Sequence, residues 1–173
     1  RPPVIGDTPA NRRLLKAIAR NQPDLARKAF SEGAVPTVLV VARSKSGQTF
    51  EPVLNRAVQC RRDAVVDVIL EQGVDPGLET DSITGPRHPA AFVLQASNGD
   101  AARTKAWMER YPSCRTPAVL AQAMRHAPND NPEPYALLLQ AARAIPSKVW
   151  SESDVIAQEM PLWVASLPIE RIE

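Results

Sequence analysis

The sequence is poor in aromatic residues and in glycine. Aromatic side chains make up only 5% of the 173 residues, so we expect a core of closely packed small and aliphatic side chains. Such a core favours helices packed on helices over an arrangement built around a sheet. Only 7 glycines stand against 17 prolines. Because the prolines are spread along the chain, the composition predicts many short elements with sharp ends and no long disordered tract.

The motifs of common catalytic and metal sites are also missing. The chain has no His-x-x-x-His, no Cys-x-x-Cys and no glycine-rich phosphate loop. We therefore predict a non-enzymatic protein with no catalytic residue, no metal, no cofactor and no small-molecule substrate. No apolar run approaches the length of a membrane span, so no membrane insertion is expected either. Because the chain starts at Arg1 rather than at methionine, we expect a trimmed or processed product.

The only cysteines, Cys60 and Cys114, are not expected to form a disulfide. Cys60 lies near the end of a predicted first helix of a helix pair, whereas Cys114 lies beyond the end of a predicted second helix. In an antiparallel arrangement these points fall at opposite ends, and a disulfide requires Cα atoms within about 7 Å of each other. Two free thiols are typical of a reducing compartment. The expected location is therefore the cytoplasm, or secretion followed by delivery into a host cell.

Helical periodicity is the main pattern in the chain, and it is clearest from Val65 to Leu70. The apolar residues Val65, Val66, Ile69 and Leu70 form one stripe of a helix, which Gly73 is able to end. So short a helix is unstable alone. It therefore needs neighbours that cover its apolar stripe.

The same unit recurs along the chain, which predicts a repeat array. Leu14 and Leu54 match each other at an offset of forty residues, and Gly33 and Gly73 match at the same offset. A short hairpin or extended arm is predicted over residues 35–49, between the first two helix pairs. The predicted pairs cover residues 11–32, 52–72, 89–111 and 116–142.

The ends of the chain are expected to differ from the array. Residues 1–9 are proline-rich and predicted to be extended, residues 10–150 form the predicted array, and residues 151–173 form a predicted capping unit with a helix from Ser153-Asp154. Among the tryptophans, Trp107 is expected in the core at helical spacing. Trp150 and Trp163 are predicted to be the more exposed ones.

Several segments resemble ankyrin repeats. Residues 42–49 resemble the turn that precedes the first ankyrin helix, and residues 65–76 resemble the second helix and its end. Gly85 and the segment His88-Pro89-Ala90 fall near the start of the third unit's first helix. The resemblance covers about residues 8–146 and implies an all-α fold, an α-solenoid of about four ankyrin-like helix pairs with a C-terminal capping helix.

The sequence also departs from the ankyrin pattern. The Thr-Pro-Leu-His motif is not intact in any unit, and the second unit has Phe50-Glu51-Pro52-Val53 in its place. The period is longer than the usual thirty-three or so residues, which implies longer loops or longer breaks between helices. Other solenoids of helix pairs, such as the HEAT type, stay open as alternatives.

Charge is distributed unevenly along the chain. The first 62 residues hold twelve lysines and arginines and four acidic residues, whereas residues 63–81 hold six acidic residues and no basic one. One interpretation is a solvated outer surface. The other is a basic wall on the concave side, which would attract an acidic partner. The predicted partner-binding residues are Arg13, Lys16, Arg20, Arg43, Lys45, Arg56, Gln59 and His88.

The leading hypothesis is a module that binds another protein, since a stack of repeats presents a long surface and encloses little volume. First helices and finger loops are its predicted contact face. One version is a secreted effector that docks on a host protein. The alternative is nucleic-acid binding through the basic face, which is disfavoured because no aromatic residue interleaves with the basic ones. His88, in a proline-flanked turn, is expected to have a structural rather than a catalytic role.

Overall fold

Short helices account for most of the structure. The computed structural model describes residues 5–44, 47–83 and 85–153, and of residues 42–44 only the backbone. These ranges contain nine α-helices, one 3-10 helix and one two-stranded sheet. The predicted all-α class is confirmed at the level of a mostly helical fold. No helix in the same ranges is long and apolar enough to cross a membrane.

The helices follow one another in pairs, and a hairpin separates the first two pairs. In chain order the elements are α1 (Pro9–Arg20), α2 (Pro23–Ser31), β1 (Leu39–Ser44), β2 (Gly47–Pro52), α3 (Val53–Gln59), α4 (Asp63–Leu70), α5 (Ala91–Ser97), α6 (Ala101–Arg110), the 3-10 helix (Pro112–Arg115), α7 (Pro117–His126), α8 (Pro132–Arg143) and α9 (Ser147–Ser151). The four pairs coincide with the predicted ones to within a few residues.

The start of α1 shows why the predicted helix ends are shifted. The helix begins at Pro9, two residues before the predicted start, because Thr8 caps it. The Asn11 backbone N–H donates a hydrogen bond to Thr8 Oγ1 at 3.1 Å. Proline at the first helical position loses nothing, since its missing N–H would have had no partner within the helix. Leu14 and Ile18 then form the buried stripe.

The predicted hairpin is confirmed. β1 pairs with β2 in antiparallel register, with Val41 opposite Phe50 and Leu39 opposite Pro52. The turn residues 45–46 lie outside the described residues. After β2 the chain passes directly into α3, whose first N–H, that of Val53, donates to the Val38 carbonyl at 3.0 Å. The hairpin therefore projects from the start of a first helix.

Each helix of the four pairs contacts its partner and the corresponding helix of a neighbouring pair. The pair contacts are α1–α2, α3–α4, α5–α6 and α7–α8, and the first helices contact one another in the order α1, α3, α5 and α7. Among the second helices, α2 contacts α4 and α6 contacts α8. One continuous core runs from Ala10 to Trp150 and includes the fully buried Leu14, Phe92 and Leu138. Neighbouring pairs therefore cover the apolar stripe that each pair leaves open.

Side chains in the turns between paired helices also tie each pair to the one before it. Each donates a hydrogen bond to a carbonyl at or just beyond the end of the preceding first helix. The bonds are Arg62 Nη2 to Ala19 O at 3.5 Å, Asn98 Nδ2 to Val58 O at 2.9 Å, and Asn131 Nδ2 to Gly99 O at 2.9 Å. These bonds join each pair to the one before it and help to fix their spacing, although the Val58 carbonyl also accepts from the Arg61 N–H at 2.9 Å.

The C-terminal part corrects one prediction. Trp150, predicted to be among the more exposed tryptophans, is only 4% exposed, and its indole Nε1 donates to the Ala142 carbonyl at 3.2 Å. It is buried because the unpredicted helix α9 turns it back onto α8. Trp107 is in the core, as predicted. Most of the predicted capping unit, including the helix from Ser153-Asp154 and Trp163, lies outside the described residues.

Gly77 is the point at which the loop after α4 packs against the 3-10 helix. A Cβ atom placed on Gly77 would lie 2.6 Å from the backbone nitrogen of Cys114, closer than real Cβ contacts come. Asp75 fixes this approach, because its Oδ1 accepts hydrogen bonds from the Gly77 N–H and the Ser113 hydroxyl. A side chain at position 77 would therefore push two backbone segments apart.

We expect Gly77→Ala to lower the free energy of unfolding by about 1–3 kcal/mol, the usual cost of overpacking a well-packed contact. Urea unfolding followed by circular dichroism measures the effect. Gly85→Ala is the matched control, because a Cβ on Gly85 would meet nothing within 4 Å. Equal stability of the two variants would contradict the packing described for Gly77.

Candidate protein-binding surface

The turns that end α1 and α3 have the same backbone geometry. Asn21 and Arg61 both adopt a left-handed conformation with φ of 53°. In each turn the next residue's N–H donates to the carbonyl five residues before it, at 2.9 Å after α1 and at 3.0 Å after α3. Because the two turns share this geometry, residues forty positions apart in the two helices are structural equivalents.

This equivalence identifies which residues of the first helices point outward. Of the residues Val53–Gln59, only Arg56 and Gln59 are exposed. Their equivalents in α1 are Lys16 and Ala19, and both are exposed as well. The two helices therefore present the same two positions to the outside, next to each other across the α1–α3 contact.

The row continues along the next two first helices. In α5 and α7, two positions three residues apart are also at least partly exposed. These helices come after α3 in the series of contacts between first helices. We call the resulting surface the first-helix face. Its residues are Lys16, Ala19, Arg56, Gln59, Leu94, Ser97, Gln122 and Arg125.

The predicted basic residues differ in how far their charges are already balanced. Arg13 forms an ion pair with Glu32 at the end of α2. Arg56 pairs with Glu51 at 3.1 Å, and that carboxylate is only 12% exposed. Lys16 and Arg20 are exposed and form no ion pair with any residue of the described ranges. The positive charge available to a partner on α1 is therefore that of these last two residues.

The remaining predicted contact residues belong to the loops. Arg43 lies on β1, where its backbone pairs with Gln48, and its side chain is outside the described part, as is the whole of Lys45. His88 exchanges both backbone hydrogen bonds with Thr80, at 2.8 Å and 3.2 Å, and closes the loop between α4 and α5. Its Nε2 is buried and has no hydrogen-bond partner in the described part of the chain. His88 thus holds the loop together.

The loops also carry exposed apolar side chains that sequence reasoning missed. Leu78 is 59% exposed, Ile83 39% and Val41 45%, the first two in the loop between α4 and α5 and the third on the hairpin. Single apolar residues in loops have no periodic pattern, so the sequence contains no signal that distinguishes them. Beside Leu78 lies a crevice of about 40 Å³ that Pro36 and Asn55 also line. It is far smaller than the roughly 300–1,000 Å³ of a typical small-molecule site.

The second helices carry ion pairs that join neighbouring pairs. Arg103 of α6 contacts Asp67 at 2.8 Å and Asp63 at 3.7 Å, and Arg27 of α2 contacts Glu71 at 3.7 Å. Burial lowers the pKa of Arg103. The hydrogen bond and charge of Asp67, together with the charge of Asp63, outweigh burial, so the pKa of Arg103 is raised. Much of the acidic segment 63–81 therefore serves to link α4 to its neighbours.

The comparisons with known proteins give no family. No protein-family model matches the sequence, and a search of curated proteins finds no significant match. Within residues 5–44, 47–83 and 85–153, no group of three His, Cys, Asp or Glu side chains is placed to hold a metal ion. Function is therefore inferred from the arrangement of this chain's own residues.

Neither cysteine forms a disulfide, in agreement with the prediction, but the two thiols differ in environment. Cys114 is fully buried, and Cys60 is partly exposed. Burial, with a smaller contribution from the nearby Asp75 carboxylate, raises the pKa of the Cys114 thiol to about 12. Its reactive thiolate form is therefore very scarce at neutral pH.

We expect a maleimide reagent at pH 8 to label Cys60 and to leave Cys114 unlabelled in the folded protein. With a pKa of about 12, only about one Cys114 in ten thousand is a thiolate at that pH, and the side chain is also inaccessible. Intact-mass measurement should show one label in buffer and two in guanidinium chloride. Rapid double labelling in buffer would show that the contact between the 3-10 helix and its neighbours is open in solution.

Proposed function

We propose that this chain is a non-enzymatic protein-binding module, an ankyrin-like solenoid that grips an acidic protein segment along its first-helix face and adjoining loops. The first-helix face is the single observation that carries this proposal. Positions at the same three-residue spacing are at least partly exposed on four first helices that contact one another in chain order. A row of this kind offers many contact points to an extended partner and encloses little volume around a reacting group.

The ankyrin-like part of the proposal is supported by the connections between elements. Paired helices are joined by short turns. The first two junctions between pairs are a hairpin and a longer loop, each starting after a left-handed glycine, Gly33 or Gly73, and the third is the 3-10 helix. The two-stranded hairpin before α3 corresponds to an ankyrin finger. The HEAT type, in which pairs follow one another through short inter-helix turns, accounts less well for these projections.

The charge distribution favours an acidic partner. On the second helices, Arg27 and Arg103 pair with acidic side chains of a neighbouring helix pair, whereas Lys28 and Arg143 form no ion pair in the described ranges. On the first helices, Lys16 and Arg20 have no such counterpart among the described residues. The unbalanced positive charge of Lys16 and Arg20 accelerates encounter with an acidic surface and makes the association rate fall with ionic strength.

The exposed apolar residues of the loops provide the other half of a protein interface. Interfaces depend on a few buried apolar or aromatic anchors surrounded by polar contacts. Leu78, at 59% exposure, lies in the loop that precedes α5, and Val41, at 45%, lies on the hairpin that precedes α3. A partner segment would bury these side chains while its acidic residues meet Lys16 and Arg20.

A selection from random peptides tests this proposal, because it requires only the predicted chemistry of the partner. We expect the immobilised protein to enrich peptides rich in aspartate and glutamate from a random phage-displayed library. The double variant Lys16→Glu with Gln59→Glu should recover them at least roughly tenfold less well, because like charges now face each other. Both residues are exposed and neither has a structural partner in the described ranges, so the change should not unfold the protein.

The control carries the same change in charge on the second helices. Lys28→Glu with Gln140→Glu alters exposed residues of α2 and α8 and should leave recovery unchanged. Equal losses in the two double variants would place the contact surface elsewhere. If no peptide is enriched, while double-stranded DNA is bound with a steep salt dependence, the nucleic-acid alternative replaces this proposal.

A further inference from the structure

Arg61 has a left-handed backbone conformation. At the equivalent helix ends, residue types that tolerate this conformation better adopt it. Helices α1 to α5 each end with a residue of positive φ, and the five residues are Asn21, Gly33, Arg61, Gly73 and Gly99. Three of the five are glycine, which has no Cβ to clash. Asparagine, at position 21, is among the non-glycine residue types that adopt the left-handed region most readily. Arg61, with φ of 53°, is the exception.

Packing within the protein does not account for an arginine at this position. The Arg61 side chain is exposed and makes no hydrogen bond or ion pair with any described residue. Glycine would form the same turn with less backbone strain. Backbone strain that no packing or hydrogen bonding within the protein explains is characteristic of residues with a functional role.

Two further arginines lie beside Arg61. Arg20 is the exposed last residue of α1, and the Arg62 guanidinium reaches the adjacent Ala19 carbonyl, with 3.5 Å between Nη2 and the oxygen. We call Arg20, Arg61 and Arg62 the arginine patch. None of the three forms an ion pair with an acidic residue in the described part of the chain. Lys16, one helical turn before Arg20, connects the patch to the first-helix face.

The helix dipole explains only part of this arrangement. The ends of α1 and α3 carry partial negative charge, which favours a cation such as Arg20 in the last turn and reduces repulsion among neighbouring arginines. It does not explain a cation at the strained position 61. A lysine or arginine within either helix would serve the dipole equally well.

We propose that the arginine patch binds carboxylates of an acidic partner segment and that Arg61 is its main anchor, an assignment that rests on the proposed protein-binding function. Arginine presents a planar fork of donors that matches a carboxylate. Residues 9–22 and 53–62, which form α1, α3 and their turns, contain no aromatic side chain. An unpaired nucleic-acid base would therefore find no ring to stack on, which favours carboxylates over single-stranded nucleic acid.

Replacing Arg61 with glycine tests the anchor, because binding and stability should change in opposite directions. We expect Arg61→Gly to weaken binding of a fluorescein-labelled oligoglutamate peptide about threefold at low ionic strength, measured by fluorescence anisotropy. The same variant should raise the midpoint of thermal unfolding by about 2 °C, since the strain is relieved. A purely structural role for Arg61 would instead lower the midpoint and leave peptide affinity unchanged.

A double variant with a matched control measures the patch as a whole. Arg20→Gln with Arg61→Gly should weaken oligoglutamate binding about tenfold. Arg115→Gln with Arg143→Gln removes the same charge from exposed arginines that have no ion pair in the described ranges, and it should retain the affinity. If both double variants lose the same affinity for oligoglutamate, only the net charge matters for binding, and this result would overturn the assignment.

Two outcomes separate this inference from the broader proposal. If Lys16→Glu with Gln59→Glu abolishes peptide selection while the Arg61→Gly variant binds oligoglutamate as before, the protein-binding function stands and the patch assignment fails. If a labelled single-stranded oligonucleotide binds more tightly than oligoglutamate and loses affinity in the Arg61→Gly variant, the patch is a nucleic-acid contact and the proposed partner is wrong.

Discussion

The helices of this protein are too short and too apolar to cover their own buried surface, and the rest of the structure depends on that constraint. In α4, Val65, Val66, Val68 and Ile69 are all fully buried within a helix of eight residues. Such a helix has buried side chains on more than one side. It is covered by α3 within its pair and by α2 of the preceding pair. No single pair could therefore remain folded without a neighbour, and the order of the pairs follows from the need for mutual cover.

Hydrogen bonds and ion pairs also join neighbouring helix pairs and help to fix their relative positions. The Asn98 and Asn131 side chains donate hydrogen bonds to carbonyls at the ends of preceding first helices, and Arg103 forms ion pairs with acidic side chains of α4. Acidic residues that look like a separate negative segment in the sequence thus serve as links between second helices. Lys16 and Arg20, by contrast, are exposed on α1 and form no ion pair in the described ranges.

The helix ends show how local backbone demands and function compete. Gly33 and Gly73 meet a left-handed requirement at little energetic cost, and Asn21 meets it nearly as well. An arginine in the same conformation gives up some stability at a position where its side chain faces solvent. Single substitutions that improve such a position usually raise stability, and where the residue serves binding they lower function. The proposed role of Arg61 is an instance of that trade.

The sequence by itself determined the helix pairs, their order and the hairpin, because apolar periodicity, capping residues and helix-ending glycines act over a few neighbouring residues. Leu14 and Leu54 revealed the forty-residue offset, and Thr8 and Asn21 bound α1 through local hydrogen bonds. Three features were decided by the tertiary structure, since each depends on contacts between distant segments. Trp150 is buried against α8, Arg13 is neutralised by Glu32 while Lys16 is not, and Gly77 must lack a side chain because the 3-10 helix lies against it. The position of the outward residues is also a tertiary feature: Lys16 and Arg56 match at the forty-residue offset, but the contact between α1 and α3 is what places them side by side.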